Sequence, residues 1–180
     1  MTRHIGFAVS ALVLLTSGTA VAQDKQRACA LLTVEEIAGA VGAPTERSSE
    51  HDEVISEGPW KGETQRRCNW PLGQDGRNGN VYLLVTYVRT DAQRQASTSV
   101  LDKPTDQFKA QGWAVTQKTV GNARCVVGVP PPSQKTVTVA VTCVMEARGS
   151  ALSVGAVLAA ATVTPEQLKA LLDKAARRLS

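Results

Sequence analysis

The chain has 180 residues, of which 43% are hydrophobic, 20% charged and 4% aromatic, with a formal net charge of +4. That length and apolar fraction suit one globular domain with a sizeable core and exclude a disordered chain. The charge is mild and scattered, which excludes the clustered basic footprint of a nucleic-acid binder.

Arg3 and His4 form a short positive head, Ile5 to Leu15 an apolar run, and Ala20-Val21-Ala22 a small-residue cleavage site. This pattern predicts a secretory signal peptide over 1–22 and a mature chain that begins at Gln23, periplasmic or secreted. No later stretch is long and apolar enough to span a bilayer, so no transmembrane segment is expected after cleavage. Cys29 follows Gln26-Arg27-Ala28 and not the cleavage point, which argues against lipidation. Residues 23–28 are expected as a polar tail and 29–180 as a single domain.

Thr33, with Glu36 three residues on, is a capping box for a helix over Val34 to Val41, and Gly42 is its stop. Residues 43–62 contain Pro44, several acids and little periodicity, which predicts a long surface loop. Such loops often carry recognition, so Glu50, His51, Asp52, Glu53 and Trp60 form a candidate binding loop. Two strands are expected next, Gln65 to Leu72 and Val81 to Thr90, joined as a hairpin through a turn containing Asn78-Gly79. The second is apolar on both faces, which places it in the interior of a sheet.

Asp91 can cap a helix running towards Lys103, where Pro104 interrupts it, with a further turn or two over Thr105 to Gly112. Strands follow over Trp113 to Val120, Ala123 to Val129, Val137 to Ala147 and Ala151 to Thr162. The alternation of Val137, Val139, Val141, Cys143 and Met145 with smaller or polar residues has the period of a sheet buried on one face. Pro130 to Pro132 cannot donate ladder hydrogen bonds and must lie in a connection. Thr164-Pro165-Glu166-Gln167 then starts a helix whose stripe Leu168, Leu171, Leu172, Ala175 and Leu179 should pack on the sheet. The expected fold is α+β, a mainly antiparallel twisted sheet of about five to six strands with N-terminal, middle and C-terminal helices against it.

In an oxidising compartment the four cysteines become candidate disulfides. If Ala123 to Val129 pairs with Val137 to Ala147 around a turn near Gln134, then Cys125 stands directly opposite Cys143, close to disulfide range. That leaves Cys29 with Cys68. Neither a Cys-x-x-Cys pair nor closely spaced zinc ligands are present.

The mature chain has one histidine, His51, which excludes multi-histidine metal sites. The run Ser48-Ser49-Glu50-His51-Asp52-Glu53 offers a nucleophile, a base and carboxylates, but triads are assembled from separate elements. Gly73 to Asn80 has neither the Gly-Lys-Ser/Thr end of a Walker loop nor the acids of a calcium loop. No catalytic residue, metal or cofactor is therefore assigned. Trp60, Trp70 and Trp113 suit core and rim packing, with Trp60 in the loop the one to watch.

The stretch Cys29-Ala-Leu-Leu-Thr-Val-Glu-Glu-Ile-Ala-Gly-Ala-Val-Gly42 resembles the opening of a group of exported bacterial proteins and lipoproteins of unknown function. Their mature region begins Cys-x-Leu-Leu-Thr-x-x-Glu. The likeness extends to Cys68-Asn69-Trp70, Gly121-Asn122-Ala123 and the closing Thr-Pro-Glu-x-Leu helix. The resemblance implies an α+β domain with a curved antiparallel sheet and carries over no functional residue.

Export, small size, stapling and missing catalytic groups point to a non-catalytic binding module. Its partner would be a protein or cell-envelope component, as for an inhibitor or immunity protein, with no nucleic acid, and the module would act as a monomer or weak homo-oligomer. Two alternatives stand beside it: a small periplasmic hydrolase using His51, and a carrier of a small apolar ligand between sheet and helix.

Overall fold

The computed structural model describes residues 27–45, 48–134, 136–159 and 162–179; the expected signal peptide lies outside them. One seven-stranded sheet carries the fold, in the order β1-β2-β3-β7-β6-β5-β4. The strands are β1 (Ser49–Val54), β2 (Thr64–Pro71), β3 (Gly79–Tyr87), β4 (Ala114–Val120), β5 (Ala123–Val129), β6 (Val139–Ala147) and β7 (Ser150–Leu158). Every neighbouring pair is antiparallel. The helices are α1 (Val34–Val41), α2 (Asp91–Ser99), α3 (Asp102–Ala110) and α4 (Pro165–Arg178).

The α+β class and antiparallel sheet agree with the sequence reading, but seven strands exceed the five to six expected. The extra strand is β1, inside the stretch expected as a loop. Its residues Ser-Glu-His-Asp-Glu-Val lie at the sheet edge with all but Glu50 exposed, so no apolar alternation announces it. Charged residues on an edge strand discourage pairing with another chain, which explains the acidic composition. Ala28, placed by the sequence reading at the end of the polar tail, is fully buried in a 3-10 turn over Ala28–Ala30.

One row across the sheet shows how the core is tied. Reading the registers in turn, Glu50, Cys68, Leu83, Val154, Cys143, Cys125 and Lys118 lie side by side on one face. Cys125 and Cys143 are direct partners with Cα atoms 4.0 Å apart, and Cys68 bonds Cys29 across 5.0 Å. Both disulfides follow the pairing read from the sequence. This face, with Trp70, Leu83, Val141, Leu152 and Val154, forms the main core.

Helix α4 lies on that face through Leu168, Leu171, Leu172 and Ala175, all buried. Thr164 and Gln167 close its capping box, as Thr33 and Glu36 do for α1. The two helices are joined by a bidentate pair, in which the Arg178 guanidinium donates to both carboxylate oxygens of Glu36 at 2.6 and 2.9 Å. Chiefly that contact pulls the Glu36 carboxyl down to about 2.

The opposite face is covered less completely. Pro104 does not end a helix as expected: the break falls at Val100 and Leu101, and Pro104 sits in the first turn of α3, where a missing N–H is tolerated. Phe108 stacks on Trp113 with centroids 4.7 Å apart, and Trp113 lies on Gly128, where a Cβ would meet its ring at 3.0 Å. Leu101, Val126 and Val144 make a small second core under the α2–α3 junction.

Candidate functional site

The incomplete cover leaves a cleft of about 200 Å³ between the second face of the sheet, the α2–α3 junction and the segment after β1. Its floor is Tyr82 and Leu84 of β3, Thr142 and Val144 of β6, and Ala151 and Ser153 of β7. Val100, Leu101 and Pro104 form one wall, and Ile55 with Trp60 the other. The lining is largely apolar with a few hydroxyls, the mixture typical of small-molecule sites, although the volume is below the usual range of about 300–1,000 Å³.

Local sequence explains the opening. Helix α2 ends in Ser97, Thr98 and Ser99, whose hydroxyls donate back to carbonyls of the preceding turn and add no apolar cover. Val100 follows and is left 46% exposed at the wall of the cleft. The opposite wall is held in place by Glu63, which accepts from Arg89 at 3.0 Å and from Gln93 at 3.3 Å. Those bonds tie the start of β2, and with it the Trp60 turn, to the start of α2.

Tyr82 defines the floor. Its cross-strand partner on β7 is Gly155, where a Cβ would overlap the Tyr82 ring, so the ring lies flat across the strand. Its hydroxyl then reaches Thr142 Oγ1 on β6 at 3.1 Å. At the β2 end, the Arg67 guanidinium stands 5.2 Å from the Tyr82 ring centroid, and its Nε donates to Asn69 Oδ1 at 2.8 Å.

The residues singled out from sequence separate in space. Trp60 lines the cleft, while Glu50, His51, Asp52 and Glu53 form the edge strand and do not line it. Glu50 turns to the core face, pairing with Arg27 at 2.6 Å and accepting from the Cys29 backbone N–H at 3.4 Å. His51 is exposed opposite Arg67 and makes no hydrogen bond with a described residue. Among the described residues no three His, Cys, Asp or Glu side chains gather into a metal site. Cys29, Cys68, Cys125 and Cys143 are all consumed as staples.

Tyr82, Leu84, Thr142 and Ser153 were not read as site residues. The signal that could have found them is the double-faced apolarity of β3 beside two helices poor in apolar residues. Such a strand needs cover that α2 and α3 only partly supply.

No family model matches the chain, and no curated protein sequence matches it. Among solved structures it is similar to the extracellular domain of PknH from Mycobacterium tuberculosis. The two share 14% identity with a TM-score of 0.62, over 88% of this chain and 96% of that one. At that identity the likeness is one of fold.

Proposed function

We propose that the protein is an exported, non-catalytic binding domain that holds a small apolar molecule in the cleft on Tyr82. The observation that carries this reading is the largely apolar cleft itself, walled by Trp60 and Val100 on a rigid, disulfide-stapled sheet. Export is supported by the two disulfides and the signal-like residues 1–22, and it agrees with the extracellular placement stated for the structurally similar domain. Of the stretch 43–62 expected as a loop, Ser49–Val54 is the edge strand β1 and 55–62 stays outside the strands, while His51, on which the hydrolase alternative depends, has no hydrogen-bonded partner among the described residues. Of the functions weighed from sequence, the small-ligand carrier fits the geometry best.

A fluorescence titration with 1-aminoanthracene, a neutral apolar probe, tests the reading. Saturable binding to the wild type is expected, with loss in Ser153→Phe, which fills the floor, and in Val100→Asp, which places a charge on an already exposed wall. Saturable binding unchanged in both folded variants would overturn it, as would no binding by the wild type.

A further inference from the structure

We propose that the ligand is a small apolar monocarboxylate, an aryl or short alkyl acid, whose carboxylate is held by Arg67 while its body lies over Tyr82 and Leu84. The inference rests on the cleft being a ligand site and adds the chemical class that the site selects.

Arg67 borders the cleft without lining it. On β2 it stands directly opposite Leu84, and its guanidinium lies over the ring of Tyr82, so both cross-strand neighbours belong to the floor. The contact with the ring, 5.2 Å from its centroid, and the bond from Nε to Asn69 restrain the guanidinium. Asn69 is neutral, and Nε supplies one of five N–H donors. The four donors on the terminal nitrogens have no hydrogen-bond partner among the described residues, and the side chain is exposed.

The arginines around the rest of this face are occupied differently. Arg89 pairs with Glu63 at 3.0 Å, Arg94 with Glu146 at 3.3 Å and Arg124 with Asp102 at 3.2 Å. On the same face of β1 as His51, the strand partner of Arg67, the acid is Glu53, two residues along, and it makes no ion pair with a described residue. Arg67 is thus a fork whose charge is not neutralised by a carboxylate among the described residues, beside an apolar cavity. A planar guanidinium in that state matches a carboxylate through two parallel hydrogen bonds. Because those two contacts already restrain the side chain, binding loses less rotamer freedom than at an uncontacted arginine.

Size limits the apolar part. An engineered cavity of about 150 Å³ holds one benzene. At about 200 Å³, this cleft suits one ring or a short alkyl chain, not a sterol or a two-chain lipid.

Displacement of 1-aminoanthracene by octanoate and by 1-octanol separates charge recognition from apolar burial. The wild type is expected to bind octanoate about tenfold more tightly than 1-octanol, a ratio set by one charge-assisted contact. Arg67→Gln and Arg67→Ala are expected to abolish that ratio, with affinity for octanoate falling to that for 1-octanol. Equal affinities for octanoate and 1-octanol in the wild type would overturn the inference and leave the cleft reading standing. So would a ratio that survives in Arg67→Gln. Failure of 1-aminoanthracene to bind would overturn both.

Discussion

The ring of Tyr82 lies across Gly155, its partner one strand away, and this is possible because Gly155 has no Cβ. The same placement lets the Tyr82 hydroxyl meet Thr142 on the strand beyond, at 3.1 Å. A single aromatic residue thereby spans three strands and becomes both part of the sheet's packing and the floor of the cleft. Glycine inside a strand commonly marks such a close approach.

Replacing Gly155 by alanine should therefore lift the ring. The added carbon overlaps Tyr82 atoms in the observed position, and forcing it in is expected to cost about 1–3 kcal/mol. Tyr82→Phe removes only the hydroxyl bond, at about 1 kcal/mol. Urea denaturation of both variants measures the two costs. Because both changes act through the same ring, Tyr82→Ala combined with Gly155→Ala should cost less than the sum of the single variants.

The two disulfides enclose loops of different length, with sequence separations of 39 and 18 residues. On the chain-entropy model, losing the 29–68 bond costs about 4 kcal/mol and losing the 125–143 bond about 3. Thermal unfolding of the paired Cys→Ala variants checks the order. Equal losses, or a larger loss at 125–143, would show that native packing around the sulfurs outweighs loop closure.

Stability should fall in acid through the pair between Glu36 and Arg178. The Arg178 guanidinium, more than any other cause, holds the Glu36 carboxyl at about 2, below its ordinary value of 4.5. A lowered folded value gives stability that is present above the ordinary value and is lost as pH falls from about 4.5 towards 2. Full conversion of that shift would be about 3 kcal/mol. The Arg178 side chain is 40% exposed, so solvent screening reduces the effect to about 1 kcal/mol. Arg178→Gln should flatten the stability profile between pH 5 and pH 2, as followed by urea unfolding at each pH.

His51 should prove dispensable for folding. It is exposed on an edge strand and makes no hydrogen bond with a described residue, so His51→Ala should change stability by less than about 0.5 kcal/mol. Trp60→Ala, by contrast, should leave the fold intact and weaken binding of an apolar probe about tenfold, since Trp60 forms a wall of the cleft. Equilibrium unfolding and probe titration of the two variants separate these effects.

Much of the fold was legible in the sequence, where local chemistry and period agree. Thr33 with Glu36 and Thr164 with Gln167 announced their helices through capping boxes that the structure contains. The alternation through Val139, Val141 and Cys143 marked the core face, and a turn placed near Gln134 set the register that brings Cys125 opposite Cys143. Strand β1 was hidden because an edge strand with five exposed residues out of six carries no apolar period. The turn at Arg148 and Gly149 was legible as the gap between the last two expected strands, but its backbone was not: both residues have positive φ, at 48° and 69°. Arg148 donates to the Leu179 carbonyl, a contact between distant parts of the chain. The cleft was the least legible feature. It depends on where α2 breaks at Val100 and on a glycine one strand from Tyr82, and neither relation is local in sequence.

Amide chemical-shift mapping of the wild-type protein during titration with 1-aminoanthracene tests the ligand site most directly. Saturable shifts are expected at Tyr82, Leu84, Val100, Thr142 and Ser153, which surround the cleft. Residues of α4 on the opposite face should remain unmoved. Shifts that concentrate on α4 or along β1, or the absence of saturable shifts anywhere, would contradict a ligand site on Tyr82.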